Sequence, residues 1–209
     1  MKLAVFDFDS TLMDGETLEF IAKEVGVEKE IKEVTDKAMR GELDFFESLT
    51  YRVSLLKGMP IKKINEICQN LPLMNGAIET VSELKKMGYK VVCFSGGFKN
   101  ATEHAKKLLK LDGEFSNIFH TKDDYLTGLV GGEMMFGNSK GIVLQNLQSI
   151  LGITPSETLV VGDGANDLSM FKFARTRVAF CAKEVLKKEA NVIISNKNLV
   201  EILERVKEE

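Results

Sequence analysis

The sequence holds few of the residues on which several common site chemistries depend. Its 209 residues include three cysteines, Cys68, Cys93 and Cys181, and two histidines. The cysteines lie far apart and form no CxxC pair, so they exclude a disulfide framework and favour a reducing, cytoplasmic location. His104 and His120 are isolated in the chain and fit no metal-ligand spacing. We find no Ser–His–Asp arrangement either.

Long apolar runs and an excess of positive charge are also missing. No stretch is long enough to span a membrane. The first apolar run is too short for a secretory signal and carries Asp7 and Asp9. The net charge of −3 argues against nucleic acid or an anionic membrane as a partner, although it leaves room for a local cationic pocket. The length suits one domain, or one domain with a modest insertion.

Short, nearly continuous apolar runs alternate with helical patterns through most of the chain. The predicted strands are Leu3–Phe6, Val91–Phe94, Thr158–Val161, Val178–Phe180 and Val192–Ile194. The predicted helices are Ala77–Met87, Ala101–Leu109, Gly141–Leu151, Leu168–Ala174, Glu184–Lys188 and Leu199–Lys207, the last capped by Asn198. Strands of this kind are typical of a sheet covered on both faces. The alternation predicts an α/β fold with a doubly wound, mainly parallel, Rossmann-like sheet.

One interval breaks the alternation. Between the first strand and Asn75 the apolar residues recur at helical spacing, with breaks at Gly26, Gly41 and Pro60. We interpret residues 15–75 as a small helical cap inserted after the first strand, and residues 1–14 with 76–209 as the α/β core. A later glycine-rich segment, 125–133, is typical of a short hairpin.

Two carboxylates stand where the first strand ends, in the segment Asp7-Phe8-Asp9-Ser10-Thr11. Burying them is costly unless a cation meets them. In extended backbone, Asp7 and Asp9 start on the same side. The pair suits a divalent cation or nucleophile and acid–base chemistry. A strand followed by an Asx turn explains it equally well when taken alone.

Three further polar clusters each follow a predicted strand or open a predicted helix. They are Ser95-Gly96-Gly97, Lys140, and the segment Asp163-Gly164-Ala165-Asn166-Asp167. Ligands of open parallel sheets bind beyond the carboxyl ends of the strands, so we expect all the clusters to meet at one edge. Ser95 with the two glycine amides predicts an anion site at a helix start. A Lys in the first helical turn opposes the helix dipole, so Lys140 needs a partner such as a phosphoryl group.

In this order, the motifs DxDST, SGG, a lone Lys and GDGxND resemble those of the haloacid dehalogenase superfamily of phosphotransferases. The likeness covers nearly the whole chain. FDFDSTL, SGGF and VGDGAND stand closest to the form found in the phosphoserine phosphatase family. Ser139 departs from that pattern, in which Ala often precedes the Lys.

The chemistry of phosphate-ester hydrolysis assigns a role to each cluster. Asp7 is the better nucleophile because it lies nearest the buried strand end, and Asp9 would protonate the leaving oxygen. The resemblance implies the same two roles. Asp7, Asp163 and the backbone carbonyl of Asp9 can hold Mg²⁺, with Asp167 supporting the metal or orienting Lys140. Turn and helix-cap roles for Asn166 and Asp167 compete with phosphate or metal binding.

The resemblance implies that the cap selects the substrate. Arg52 can grip a carboxylate and Glu16 can accept from an ammonium, and free serine carries both groups. Ordinary surface ion pairs are the general alternative. Met39 and Phe45 are candidates for the pocket walls, although packing in the core of the cap is the more general explanation.

The expected function is therefore a Mg²⁺-dependent phosphatase of O-phosphoserine, in serine biosynthesis, acting as a monomer or homodimer. Two alternatives stay open. One is a phosphatase or phosphotransferase for another small phosphomonoester, and the other is a catalytically silent binding protein on the same fold.

Overall fold

A single sheet of seven strands runs through residues 1–207, the part of the chain that the computed structural model describes. The strands are β1 (Lys2–Asp7), β2 (Tyr89–Phe98), β3 (Gly113–Lys122), β4 (Tyr125–Gly132), β5 (Thr158–Gly162), β6 (Thr176–Phe180) and β7 (Val192–Ile194). Their order is β4-β3-β2-β1-β5-β6-β7. Every neighbouring pair is parallel except β3 and β4, which are antiparallel. The strand that carries Asp7 therefore lies at the centre of the sheet.

Helices cover both faces of this sheet. They are α1 (Thr17–Ala22), α2 (Glu28–Met39), α3 (Phe45–Ser54), α4 (Ile61–Gln69), α5 (Ala77–Lys86), α6 (Lys99–Leu109), α7 (Ser139–Leu151), α8 (Leu168–Phe171), α9 (Glu184–Lys187) and α10 (Glu201–Lys207). In the described residues no helix is both long and apolar enough to cross a bilayer.

Alternate residues of β1 pack into two separate apolar clusters. Ala4 and Phe6 face the cluster that includes residues of α5, α6, α10 and the inserted helices. Leu3 and Val5 face the cluster that includes residues of α7 and α8. Period-two alternation therefore places Asp7 on the α7 side of the sheet. The doubly wound, mainly parallel α/β fold predicted from the sequence is confirmed.

Helices α1–α4 form the segment inserted between β1 and α5. One end rests on the β3–β4 hairpin, since Gly58 N donates to Leu126 O at 2.8 Å and Leu126 N donates to Met59 O at 2.9 Å. An isolated antiparallel β-bridge between Met13 and Leu73 joins the points at which the chain enters and leaves the inserted segment. That residues 15–75 act as a separate cap stays a prediction, and the last two residues of the predicted core, 208 and 209, lie outside the described residues.

The structure differs from the sequence prediction at several elements. The segment 125–133 was expected to form a whole hairpin, but β4 is only one arm, and β3 is the other. Strand β3 was not predicted because four of its ten residues are exposed and its pattern is polar. Helix α8 ends at Phe171 rather than Ala174, and α10 begins at Glu201 rather than Leu199. The three cysteines are free.

Candidate active site

Asp7 is the last residue of β1 and lies almost fully buried at the carboxyl edge of the sheet. Its Oδ1 accepts a hydrogen bond from the backbone N–H of Phe8 at 2.7 Å and lies 2.6 Å from Lys140 Nζ. The chain leaves the extended conformation immediately afterwards, in the turn Phe8–Leu12, where Ser10 has φ of 56°. The sequence argument placed Asp7 and Asp9 on one side of an extended strand, but the strand ends at Asp7. Both residues nevertheless line one cavity.

Lys140 lies in the first turn of α7, where the helix dipole disfavours a cation. Two carboxylates offset that cost, because Nζ lies 2.6 Å from Asp7 Oδ1 and 2.6 Å from Asp167 Oδ1. Burial lowers the pKa of Lys140, but the charges of Asp167 and Asp7 outweigh burial and raise it. Lys140 is therefore a permanent buried cation that orients Asp7.

Asp167 shapes the loop after β5. Its second oxygen, Oδ2, accepts from the backbone N–H groups of Asp163 and Gly164 at 2.9 and 3.1 Å. These bonds fold the loop back so that Asp163 faces Asp7. Ligand atoms of Asp7, Asp163 and Asp167 lie within 4.8 Å of one another, and all three residues are buried. An all-oxygen set of this kind fits a hard divalent cation.

The carboxylates of this site are crowded and poorly hydrated. Burial, with the neighbouring charge of Asp167, raises the pKa of Asp7 to about 7 despite Lys140. Burial and the charge of Asp7 raise the pKa of Asp163 well above its usual range. A bound cation would favour the charged forms of both groups. The raised pKa values and the geometry therefore both indicate that Asp7, Asp163 and Asp167 can hold a metal ion.

Asp9 is positioned by the start of α1. Its Oδ1 accepts from Thr17 N at 2.7 Å and from Thr17 Oγ1 at 2.5 Å. Burial raises the pKa of Asp9, and the two bonds from Thr17 oppose that shift. Its other oxygen is left on the side of Gly97, where a β-carbon at that glycine would come within 2.8 Å. The Asp9 carboxylate is not part of the carboxylate cluster formed by Asp7, Asp163 and Asp167.

The segment Ser95-Gly96-Gly97 was expected to open a helix. The structure instead places it inside β2, and α6 begins at Lys99. The pairing of β2 with β3 shifts register between Phe94 and Phe98, so the segment bulges out of the ladder. Ser95 Oγ accepts from Gly97 N at 2.9 Å. A local bulge rather than a helix end therefore carries these amides to the site.

The inserted segment contributes an acidic and a basic side chain, Glu16 and Arg52, to the same cavity. Glu16 Oε1 accepts from Ser10 Oγ at 2.6 Å. Burial and the charge of Asp9 raise the pKa of Glu16 to about 8. Arg52 is almost fully buried and donates from Nε to Ser48 O and from Nη1 to Thr35 Oγ1, at 3.1 and 2.9 Å. Burial lowers the pKa of Arg52.

Eleven residues line the cavity in the part of the chain that the structure describes. They are Asp7, Asp9, Glu16, Leu18, Met39, Phe45, Leu49, Arg52, Gly96, Gly97 and Asn166. Lys140 contacts Asp7, and Asp163 and Asp167 cluster with it. Ser95 is buried and contacts Gly97. Asn166 presents an Oδ1 that is buried without a hydrogen-bond partner among the described residues. The structure thus brings the predicted site residues to one place.

Sequence reasoning missed four residues that shape this site. Leu18 and Leu49 add apolar walls, and helical periodicity identified both only as core positions. Thr17 holds Asp9, and Ser10 holds Glu16. The position of Thr17 at the start of a helix was the available signal for the first contact. Ser10 stands within the DxDST motif, but its partner is set by the turn that follows.

Comparison with known proteins agrees with this geometry. A family model described as haloacid dehalogenase-like hydrolase matches residues 1–175. This chain belongs to the haloacid dehalogenase-like hydrolases. Within that family it is 61% identical over 203 residues to a phosphoserine phosphatase of Wolinella succinogenes, covering 97% of this chain and 98% of the relative.

Two solved structures of the family superpose closely on this hydrolase. One is described as a phospho-aspartyl intermediate analogue of phosphoserine phosphatase, with a TM-score of 0.95, 48% identity and 98% coverage of both chains. The other is a substrate-bound phosphoserine phosphatase complex, with a TM-score of 0.95, 48% identity and coverage of 98% of this chain and 97% of the other.

Proposed function

We propose that the chain is a phosphoserine phosphatase, which hydrolyses O-phosphoserine to serine and phosphate in serine biosynthesis. The observation that carries the proposal is the cavity that Asp7, held by Lys140, shares with Asp9, Glu16 and Arg52. The near full-length relatives named phosphoserine phosphatase support the same substrate.

Asp7 is the nucleophile in this proposal. Lys140 fixes its carboxylate and favours its charged form, and attack on phosphorus forms an aspartyl-phosphate while the seryl oxygen leaves. Asp9 gives a proton to that oxygen and later takes one from the attacking water. Thr17 holds the Asp9 carboxylate beside the site for both steps.

The phosphoryl oxygens are received by groups that surround the nucleophile. Ser95, the Gly96–Gly97 amides, Lys140 and Asn166 supply donors for the negative charge that is spread over three oxygens. Mg²⁺ bound by Asp7 and Asp163, with support from Asp167 and the Asp9 carbonyl, would neutralise charge on the transferring group.

The substrate's amino-acid part is recognised from the inserted helices. Arg52 pairs with the carboxylate and Glu16 accepts from the ammonium, and Met39 and Phe45 close the apolar side. Such recognition favours a cap that opens to admit substrate and closes over it. A cytoplasmic location and a monomeric or homodimeric state stay predictions.

A substrate panel tests the function and the metal together. We expect phosphate release from O-phosphoserine to exceed release from sugar phosphates, to vanish with excess chelator and to return with Mg²⁺. Ca²⁺ should support turnover poorly, because it tolerates irregular coordination that Mg²⁺ does not. Full activity in chelator would refute the metal assignment, and equal rates across the panel would refute the substrate assignment.

A further inference from the structure

The β2 bulge leaves backbone groups that the sheet ladder does not hold. Phe94 pairs with Phe115 and Phe98 pairs with Asn117, so four residue steps along β2 face two steps along β3. Peptide groups inside such a bulge lose their ladder partners. Buried peptide groups nevertheless need partners. Another group must therefore hold the bulged segment 95–97 in place.

Asn117 of β3 supplies that group. Its side chain is fully buried, and its Nδ2 donates to Gly96 O at 3.0 Å and to Met134 O at 3.1 Å. Its Oδ1 accepts from Met134 N at 3.0 Å. One carboxamide thus joins the bulge to the chain segment that leads into α7 and Lys140.

The space for this side chain is built into the neighbouring strand. Gly132 of β4 pairs with Asn117 and has φ of 141°, in the region that favours glycine. A β-carbon at Gly132 would lie 2.6 Å from Asn117 Oδ1 and 2.7 Å from its Cα. The close approach of β4 therefore depends on a glycine opposite Asn117.

The bond to Gly96 O sets the direction of the next N–H. The described chain contains no cis peptide bond, so the C=O of Gly96 and the N–H of Gly97 point to opposite sides of one plane. Because Asn117 holds the C=O toward β3, the Gly97 N–H points away from β3. There it meets Ser95 Oγ, on the side where Asp9 Oδ2 approaches Gly97.

We propose that Asn117 is a positioning residue for phosphoryl transfer, because its carboxamide fixes the Gly96–Gly97 peptide, and the N–H of that peptide holds Ser95 Oγ in place for the phosphoryl group. This inference rests on the proposed function. Asn117 lies behind the cavity wall and acts through the peptide rather than by touching substrate.

The isosteric variant Asn117→Asp tests the inference. It keeps an acceptor for Met134 N but sets an oxygen against the carbonyls of Gly96 and Met134, which turns the peptide. We expect kcat/KM for O-phosphoserine to fall roughly 100-fold, as small misplacements of catalytic groups do. The inhibition constant of inorganic phosphate should rise in parallel, because the Ser95 hydroxyl that this peptide positions also receives the product.

Gln148→Glu is the matched control. Gln148 is a buried carboxamide of α7 whose Nε2 donates to Thr158 Oγ1 and to Phe173 O, both at 2.8 Å. The variant removes a buried amide donor of the same kind far from the cavity. It should lower the midpoint of thermal unfolding and leave kcat/KM and phosphate inhibition unchanged.

A loss of thermal stability in Asn117→Asp with unchanged kinetics and phosphate inhibition would overturn the inference. If the variant does not fold, the unmodified chain is labelled with ¹⁵N at side-chain amides and titrated with inorganic phosphate and Mg²⁺. The Asn117 signals should shift and the Gln148 signals should not, and unmoved Asn117 signals would overturn the inference. An unmodified chain inactive on O-phosphoserine would instead refute the proposed function, and the phosphate titration would still decide the role of Asn117.

Discussion

Single side chains at the carboxyl edge of the sheet carry most of the site's chemistry. Asp7 has its pKa raised to about 7 by burial and by Asp167, and Lys140 at 2.6 Å opposes that rise. A carboxylate in this setting is charged only while cations surround it. The nucleophilic state of Asp7 therefore depends on Lys140, which a distant segment of the chain supplies.

Asp7→Asn should abolish turnover while the chain still folds. The amide keeps the shape of the side chain and removes one of the crowded negative charges. It cannot, however, form the aspartyl-phosphate. We expect kcat to fall at least about 10³-fold, as loss of an essential group does. Stability should be retained by thermal unfolding, and acid-quenched mass spectrometry should find no phosphorylated protein.

Asp14→Asn serves as the control, because Asp14 pairs with Lys197 at the surface and stands seven residues after Asp7. It should keep activity within about twofold, as surface ion pairs contribute little. A phosphoryl adduct mapped to Asp9 rather than Asp7 would contradict the assignment of roles.

Arg52→Ala should separate substrate selection from bond breaking. Ser48 and Thr35 hold the buried guanidinium at the cavity, where it can meet a substrate carboxylate, and removing it leaves that carboxylate unpaired. We expect kcat/KM for O-phosphoserine to fall about 100-fold or more. Hydrolysis of an aryl phosphate, which lacks the carboxylate and the ammonium, should change little.

Arg40→Ala is the matched control for that comparison. Arg40 follows α2 and pairs with Glu42 on the exposed surface of the same inserted segment. Its loss should leave both substrates unaffected. An equal loss on both substrates in Arg52→Ala would mean that Arg52 serves the fold or the phosphoryl group.

Motifs revealed the residues that touch the reaction but not those that hold them. Asp7, Lys140 and Asp163 could be predicted because each stands at a strand or helix end within a recognisable pattern. Asn117 could not be assigned a role, since its partners are fixed only when distant segments meet. A lone polar residue in a strand has no periodic signal that distinguishes a buried bridge from an exposed side chain.

The elements around the site depend on close approaches that small residues permit. Helix α7 begins beside α8, and a β-carbon at Gly141 would lie 2.7 Å from Ser169 O. Gly141 N also donates to Ser169 Oγ at 3.1 Å. Because Lys140 directly precedes Gly141, the packing of α7 on α8 fixes the position of the buried cation.

Gly141→Ala should therefore disturb both stability and activity. The added carbon forces α7 away from α8, and overpacking of this kind costs about 1–3 kcal/mol. We expect the free energy of unfolding in urea to fall by that amount and kcat to fall with it. Gly131→Ala is the control, since a β-carbon there meets no atom within 4 Å; a Gly141→Ala protein as stable and active as this control would contradict the packing argument.

Strong periodic patterns predicted elements, and weak ones did not. Five strands, β1, β2, β5, β6 and β7, contain continuous apolar runs and were located from sequence. Strand β3 was missed because Ile118, His120 and the residues after it are exposed, so no alternation marks it. It pairs with β2 through a register shift, which local sequence does not encode.

At the scale of the whole molecule, the acidic side chains at the carboxyl edge make folding sensitive to pH. Asp7 has a pKa of about 7 and Glu16 one of about 8, against ordinary values of 3.8 and 4.5. At a pH between its ordinary pKa and its raised pKa, each group is more protonated in the folded chain than in the unfolded chain. The free energy of unfolding of the metal-free protein must then fall as the pH rises.

Urea unfolding in chelator at about pH 5.5 and pH 8 measures this effect. We expect the metal-free protein to be more stable at the lower pH by on the order of 2 kcal/mol. Asp7→Asn should reduce the difference because it removes one of the groups. Mg²⁺ should reduce it too, since a bound cation favours the charged carboxylates. Higher stability at pH 8 in chelator would contradict the argument.

The central place of β1 has a consequence for how the protein is made. Asp7 belongs to β1, which is made before the other six strands of the sheet, but β1 pairs with β2 from residue 89 and with β5 from residue 158. A ribosome adding 5–20 residues each second needs roughly 8–30 s to go from β1 to β5. During that time the edge of β1 that will pair with β5 presents unpaired backbone N–H and C=O groups. A growing chain can therefore complete the Asp7 site only after β5 has been made, and until then this edge is what a chaperone would have to shield.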